Sequence, residues 1–345
     1  MFRFMTNSLS LSPSIVLVLL SFLLGASALF SLSLGRFDFA PLGSMQELFI
    51  HWGWLEGETN PMMTSILLDV RLPRILAAIL IGAALAISGA AFQALFMNPL
   101  VSPGILGVLS GAAFGASLGI LLSDEIWVMQ LLTFVFGLLA VAIALLLAKG
   151  ELKQNMIILV LGGMITGALF GAFLSIIKYV ADPYSKLPAI TYWLMGSLAN
   201  VNGELLYWLA PFVLTGIAIL TMQGHVLNAL SLGDDEAKTL GISVEKKRML
   251  VIVVATFLSA VTVTLGGMIG WVGLVIPHIV RLLFGADNRL LLPASALLGA
   301  IYLLWVDNLA RMVTSIEIPI GILTALIGLP VFAWALKNAK KGWHS

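Results

Sequence analysis

Few residues in this 345-residue chain could do chemistry, and they fall at separate places. Arg71 and Arg74 flank Pro73 one helical turn apart, and Asp307 precedes Arg311 by four residues, the spacing of a helical ion pair. Such guanidinium groups could offer positive charge to an acidic partner, or simply anchor a helix among lipid headgroups. A second group, LSLGDDEAKTLG at 230–241, sets three acids and a lysine between two glycines. His51, His225, His278 and His344 are scattered without metal-ligand spacing, and the chain has no cysteine. Disulfides, thiolate metal sites and cysteine nucleophiles are thereby excluded, and no metal site is expected. No G-x-x-x-x-G-K-[ST], H-E-x-x-H or G-x-S-x-G run occurs. The chain therefore has no Walker-type nucleotide loop of its own and reads as a non-enzyme.

The elements that must position these residues are membrane spans. Hydrophobic residues make up 60% of the chain and charged ones 10%, against about 25% charged in a soluble domain. Mean hydropathy is +1.06. Apolar runs at 14–35, 68–94, 104–122, 126–148, 155–179, 206–224, 249–269, 272–284, 290–310 and 319–337 predict ten crossings. The stretch 249–284 would be too long as one span, at about 54 Å. Gly266, Gly267, Gly270, Gly273 and Pro277 favour breaking it in two. The fold class expected is an all-α polytopic membrane protein, one transmembrane domain over 1–345. GASALF at 25–30 resembles a cleavage site, but the apolar run continues to Leu34 and is read as an uncleaved anchor.

With both termini inside, the inner segments hold Arg3, Lys149, Lys153, Lys238, Lys246, Lys247, Arg248, Arg281, Arg289, Lys337, Lys340 and Lys341. The outer ones hold Arg36, Arg71, Arg74, Lys178, Lys186 and Arg311, so the bias is 12 against 6. That agrees with the positive-inside rule. Net charge is only +1 and no basic tract occurs, so nucleic acid is not an expected partner, whereas lipid is. Glycines at 107, 111, 115 and 119, and again at 163, 167 and 171, repeat every fourth residue. They could serve close helix packing alone or form a smooth wall beside a wide pathway. Mid-membrane carboxylates are few, which argues against an ion-coupled secondary carrier, the main rival to an externally energised transporter.

At the charged island, Ser231 is a fair N-cap, Asp234 then occupies N3, and Gly241 suits the C′ position. Acids fill the first turn, where the helix dipole favours them. A two-turn helix is marginal alone in water, so this one implies a partner, the alternative being a solvated inner loop. Proline at Asp235 or Gly241 should uncouple or detach that partner.

Residues 71–107, RLPRILAAILIGAALAISGAAFQALFMNPLVSPGILG, complete the picture together with YWLMGSL at 192–198, GLVIPHIVRLLFG at 273–285 and EIPIGILTALIGLPVFAWAL at 317–336. In this set the chain resembles the permease subunits of ABC importers for iron chelates (siderophores), haem and cobalamin. The resemblance covers nearly its whole length. It implies a ten-span, cobalamin-importer-permease-like bundle in the cell inner (cytoplasmic) membrane. A second permease copy, two cytoplasmic ATPases carrying ATP and Mg, and a periplasmic or lipid-anchored binding protein would complete the assembly. This chain itself would bind no cofactor. The implied cargo is a metal chelate, ferric siderophore first, with haem, cobalamin or an oxyanion such as molybdate as alternatives. Arg71, Arg74 and Arg311 match the family's outer arginines, which in relatives receive acidic residues of the binding protein. Glu317 lies near Arg311 in sequence and could restrain it before docking. Ser231, Gly233, Asp234, Asp235, Glu236, Ala237, Lys238, Leu240 and Gly241 match the coupling helix that contacts the ATPase. Asn98, Pro99, Ser102, Pro103, Lys153 and Gln154 would border the cytoplasmic gate. The fifth span, the segment after it and the tenth span would line the pathway.

Overall fold

The computed structural model describes residues 12–35, 40–149, 156–199, 201 and 203–339. Every regular element among them is helical. α1 (Pro13–Ser33) starts on a proline, with the Ser12 side chain accepting from the Ile15 N–H. α2 (Pro41–His51) and α3 (Pro61–Ser65) follow. α3 continues through a π-helical turn, Ile66–Arg71, into α4 (Leu72–Leu95). The π turn has a local cause. Pro73 lacks an N–H, and its ring would press on the carbonyl four residues back. The wider turn moves that carbonyl aside, and the Leu72 N–H bonds back to the Leu67 oxygen.

Arg71 and Arg74 do not open a helix, because the rod begins at Pro61, capped by the Asn60 side chain on the N–H groups of Met62 and Met63. A dipole effect confined to the first turn does not reach them.

A 3₁₀ turn at Pro103–Leu106 and Gly107, at φ 83°, lead into α5 (Val108–Leu122). Then come α6 (Ile126–Leu147), α7 (Met156–Val180), α8 (Lys186–Leu194), α9 (Gly203–Met222), α10 (Gly224–Leu230) and α11 (Asp234–Thr239). α12 (Val244–Gly266), α13 (Val272–Phe284), α14 (Asn288–Met312) and α15 (Ile320–Ala339) complete the chain. Among the described residues, seven helices, with α3–α4 counted as one, are long and apolar enough to cross a membrane. The shorter α5, α13 and α15 bring the count to ten, in agreement with the sequence. The break inside 249–284 is real. α12 ends at Gly266, and Gly267 and Trp271, at φ 70° and 69°, turn the chain before α13. The short helices α2, α8 and α10, of 11, 9 and 7 residues, are too short to register as apolar runs and had no counterpart in the sequence reading.

α4 is the central post, packed against α9, α12, α13 and α14. Its most apolar window is 83% buried, against 28% in α1, α7 and α9, which present apolar flanks outward. Small residues allow this closeness: a β-carbon on Gly82 would lie 2.3 Å from the Gly299 carbonyl oxygen of α14. One on Gly89 would lie 1.8 Å from that of Gly273. Gly111, Gly115 and Gly119 similarly press on the α6 backbone at Phe136, Leu132 and Met129, so that stripe serves packing, not a pathway wall. The second stripe divides. Gly163 packs on Ile105, whereas Gly171 faces open space.

Exposed aromatics gather at one end of the bundle, the end holding the α5–α6 and α7–α9 connections. Trp52, Trp54, Trp127, Tyr179, Tyr184, Tyr207 and Trp208 all lie there. This is the pattern of an interfacial aromatic belt, and the positive-inside count makes that end the outer one.

Candidate functional site

The outer end holds a buried charge cluster. Arg74 of α4 donates from Nε to both oxygens of Asp307 on α14, at 2.9 and 3.1 Å. Its Nη1 and Nη2 form a fork on Glu317, at 3.0 and 2.9 Å. Asp307 is fully buried, and the Glu317 side chain is 27% exposed. Arg311 Nε lies 3.3 Å from Asp307, so the i,i+4 pair expected from the spacing forms. Arg311 Nη2 also donates to Asn308 Oδ1 and to Ser31 Oγ. Arg71 donates to the Leu32 carbonyl at 2.5 Å. The cluster thus ties α1, α4, α14 and the approach to α15 together, with Arg74 and Arg311 sharing Asp307. All three guanidinium side chains are buried. Glu317 holds Arg74, not the Arg311 that sequence proximity suggested, because the turn after α14 carries it back over α4.

Nearer the middle, two of the quoted motifs, 192–198 and 317–336, and the end of α12 meet backbone to backbone. The Ser197 N–H donates to the Gly266 carbonyl at 2.9 Å. Ile320 and Gly321 donate to the carbonyls of Gly196 and Met195 at 2.9 and 3.0 Å. Glycine is required here: Gly196 sits at φ 74°, and a β-carbon on Gly321 would overlap the Met195 carbonyl. Beside this junction lies an open apolar cavity of about 510 Å³, lined by Leu194, Met195, Met268, Trp271, Ile322 and Leu326 among others. The segment after the fifth span and the tenth span border it, while α7 does not.

At the inner end, α10 and α11 form a small helical corner. Gly233, not Ser231, is the N-cap, at φ 124°, and the Ser231 hydroxyl instead donates to the Asn228 carbonyl. Asp234 therefore stands at N1 and Glu236 at N3, with its carboxylate folded back over Gly233. The C-terminus matches expectation. Gly241, at φ 78°, donates to the Lys238 carbonyl, and Ile242 donates to that of Ala237, a Schellman pair. Lys238 is held above its usual pKa by its hydrogen bond to Asp235. Ala237 is the buried side chain of α11, while Asp235, Glu236, Lys238, Thr239 and Leu240 are exposed. Leu232 and Leu240, 67% and 63% exposed, flank the helix as apolar knobs. Sequence reasoning missed these two leucines as a pair, although two apolar residues beside a charged inner helix were a visible signal.

Of the gate residues, Asn98 and Pro99 are exposed, Ser102 half-buried and Pro103 buried. Asn98 accepts from the Leu100 N–H at 2.9 Å and so closes the turn below α4. Lys153 and Gln154 lie outside the described residues. Among the described residues, no group of three or more His, Asp or Glu could hold a metal ion.

Comparison with known proteins brings these parts under one description. The profile of the FecCD transport family matches residues 19–338. The molybdate import system permease protein MolB of Haemophilus influenzae is 42% identical over 94% of this chain and 95% of its own. The vitamin B12 import system permease protein BtuC of Vibrio vulnificus is 37% identical over 93% of each chain. An inward-facing structure of a metal-chelate type ABC transporter superposes with a TM-score of 0.84 at 40% identity, covering 94% of this chain and 99% of that one.

Proposed function

The chain belongs to the FecCD transport family of ABC importer permeases, and from that premise we propose that it passes a metal chelate, ferric siderophore in the first instance, inward from the periplasm. Two separate ATPases drive the cycle and a binding protein delivers the cargo to a pair of permease copies. The observation that carries this reading is α11: a capped helix with one buried side chain and two exposed leucines, in a chain with no nucleotide loop. A helix of two turns is marginal alone in water; this one packs on its own chain through Ala237 and leaves its exposed face, flanked by the two leucines, for a groove on the ATPase to cover. The outer cluster is the complementary end, where Arg74 exchanges Glu317 for a carboxylate of the binding protein. With Arg74 buried and Glu317 only partly exposed, such an exchanged pair would set orientation and on-rate.

Changing Leu232 and Leu240 together to serine should strip the ATPases from the purified complex while leaving the melting temperature of the permease alone nearly unchanged. Equal retention of the ATPases would remove the coupling assignment. Molybdate is the second cargo reading, favoured by the 42% identity to a molybdate permease. Proteoliposomes holding the full assembly separate the two: radiolabelled ferric siderophore and molybdate are offered in turn, with ATP. Uptake driven by an ion gradient without ATPases would overturn both.

A further inference from the structure

α11 is joined to the spans through two glycine-containing turns. Gly233 links it to α10, and residues 240–243, with Gly241 at φ 78°, link it to α12. Left alone, these turns are hinges, and a push on α11 would bend them instead of moving a span. Side chains bridge both. Arg248, one turn into α12, donates from Nη1 and Nη2 to the two carboxylate oxygens of Asp234 at 2.8 and 2.5 Å. The pair is mostly withdrawn from solvent, at 14% and 32% exposure, and its two parallel bonds fix orientation as well as distance. It reaches from the first residue of α11 across the hinge at 240–243, closing that segment into a wedge.

A second bridge braces the other side. Asn228 of α10 donates to Asp287 at 2.7 Å, and its Oδ1 accepts from the backbone and side-chain nitrogens of Asn288 at 2.9 Å. Asp287 caps α14, and its carboxyl is held well below the usual range, first of all by the Arg289 side chain, so it remains an acceptor at physiological pH. Gly224 at the start of α10 lies flush on the backbone of Asn288 and Arg289.

We infer that Arg248 is a positioning residue whose fork on Asp234 locks the 240–243 hinge, so that α11 and the inner end of α12 move as one body when the ATPases close. Asn228 braces α10 against α14 in the same way. The inference rests on the reading of α11 as the ATPase contact.

The absence of cysteine makes a direct test available. Thr239→Cys and Val253→Cys, both exposed, are introduced together and spin-labelled. Labelled chains are diluted with unlabelled ones in the nanodisc complex with the ATPases. With Arg248 in place, the label distance should be narrow and unchanged when Mg-nucleotide is added. In Arg248→Gln it should broaden and shift with nucleotide, and ATP-driven uptake of ferric siderophore or molybdate, whichever is carried, should fall by roughly tenfold per ATP consumed, the scale of a lost charge-assisted pair. Arg248→Lys, which keeps the charge but not the fork, should lie between. A narrow, nucleotide-independent distance in Arg248→Gln, with the ATPases still bound, overturns the inference. Failure of the coupling reading would show separately, as ATPases retained by the Leu232 and Leu240 serine variant.

Discussion

At Arg74 one guanidinium meets two carboxylates of unlike character. Asp307 is fully buried and neutralises both Arg74 and Arg311, whereas Glu317 is partly exposed and contacts only the outer edge of the Arg74 fork. Their removal should therefore have different consequences. Asp307→Asn strands buried charge and should cost about 3–5 kcal/mol, read as a lower melting temperature. Glu317→Gln leaves Arg74 paired with Asp307, so it should lower melting less than Asp307→Asn and tighten binding-protein docking by about fivefold, the equivalent of about 1 kcal/mol. Unchanged docking affinity in that variant would count against the exchange of carboxylates at Arg74. Reversing the charges of Arg71 and Arg74 is a poorer test, because both side chains are buried and the fold itself would be disturbed. Sequence spacing revealed the Asp307–Arg311 pair because four residues is a helical repeat. It was silent on Arg74–Asp307, whose partners are 233 positions apart.

The same distinction recurs at the level of single elements. The helix in the 230–241 segment was readable from its acids and its closing glycine, and the C-terminal Schellman pair forms where expected. Its start moved two residues, because Gly233 at φ 124° breaks the chain where Ser231 still belongs to the end of α10. That shift changes a prediction. Asp235 is now at N2, where the helix makes no use of the backbone N–H, so Asp235→Pro should be well tolerated. Gly241→Pro demands a negative φ at a position held at 78° and removes the N–H bonded to Lys238. ATP-driven uptake should survive the first substitution and be lost in the second, and loss in both would contradict the observed register. The π turn before Pro73 was equally hidden, since proline alone predicts an interruption and says nothing of how a neighbouring helix supports it.

For the whole molecule, orientation is the property most open to direct measurement. Tyr184 lies at the aromatic end and Thr239 at the opposite one, both on the surface. Single cysteines at these places should react with an impermeant maleimide from opposite faces, Tyr184→Cys in right-side-out vesicles and Thr239→Cys in inverted ones. Labelling of both from one face would refute the ten-span topology. By itself the sequence determined the all-α class, the ten apolar segments and the break after Gly266. Each of these depends on composition or on a period shorter than one span. Tertiary structure alone decided which glycines pack and which face open space, where Arg74 and Arg311 find their counter-charges, and how α11 is braced to α12 and α10 to α14. Those outcomes depend on contacts between helices distant in the chain, and a buried charge or a close backbone crossing is defined by what lies opposite, which no local pattern records.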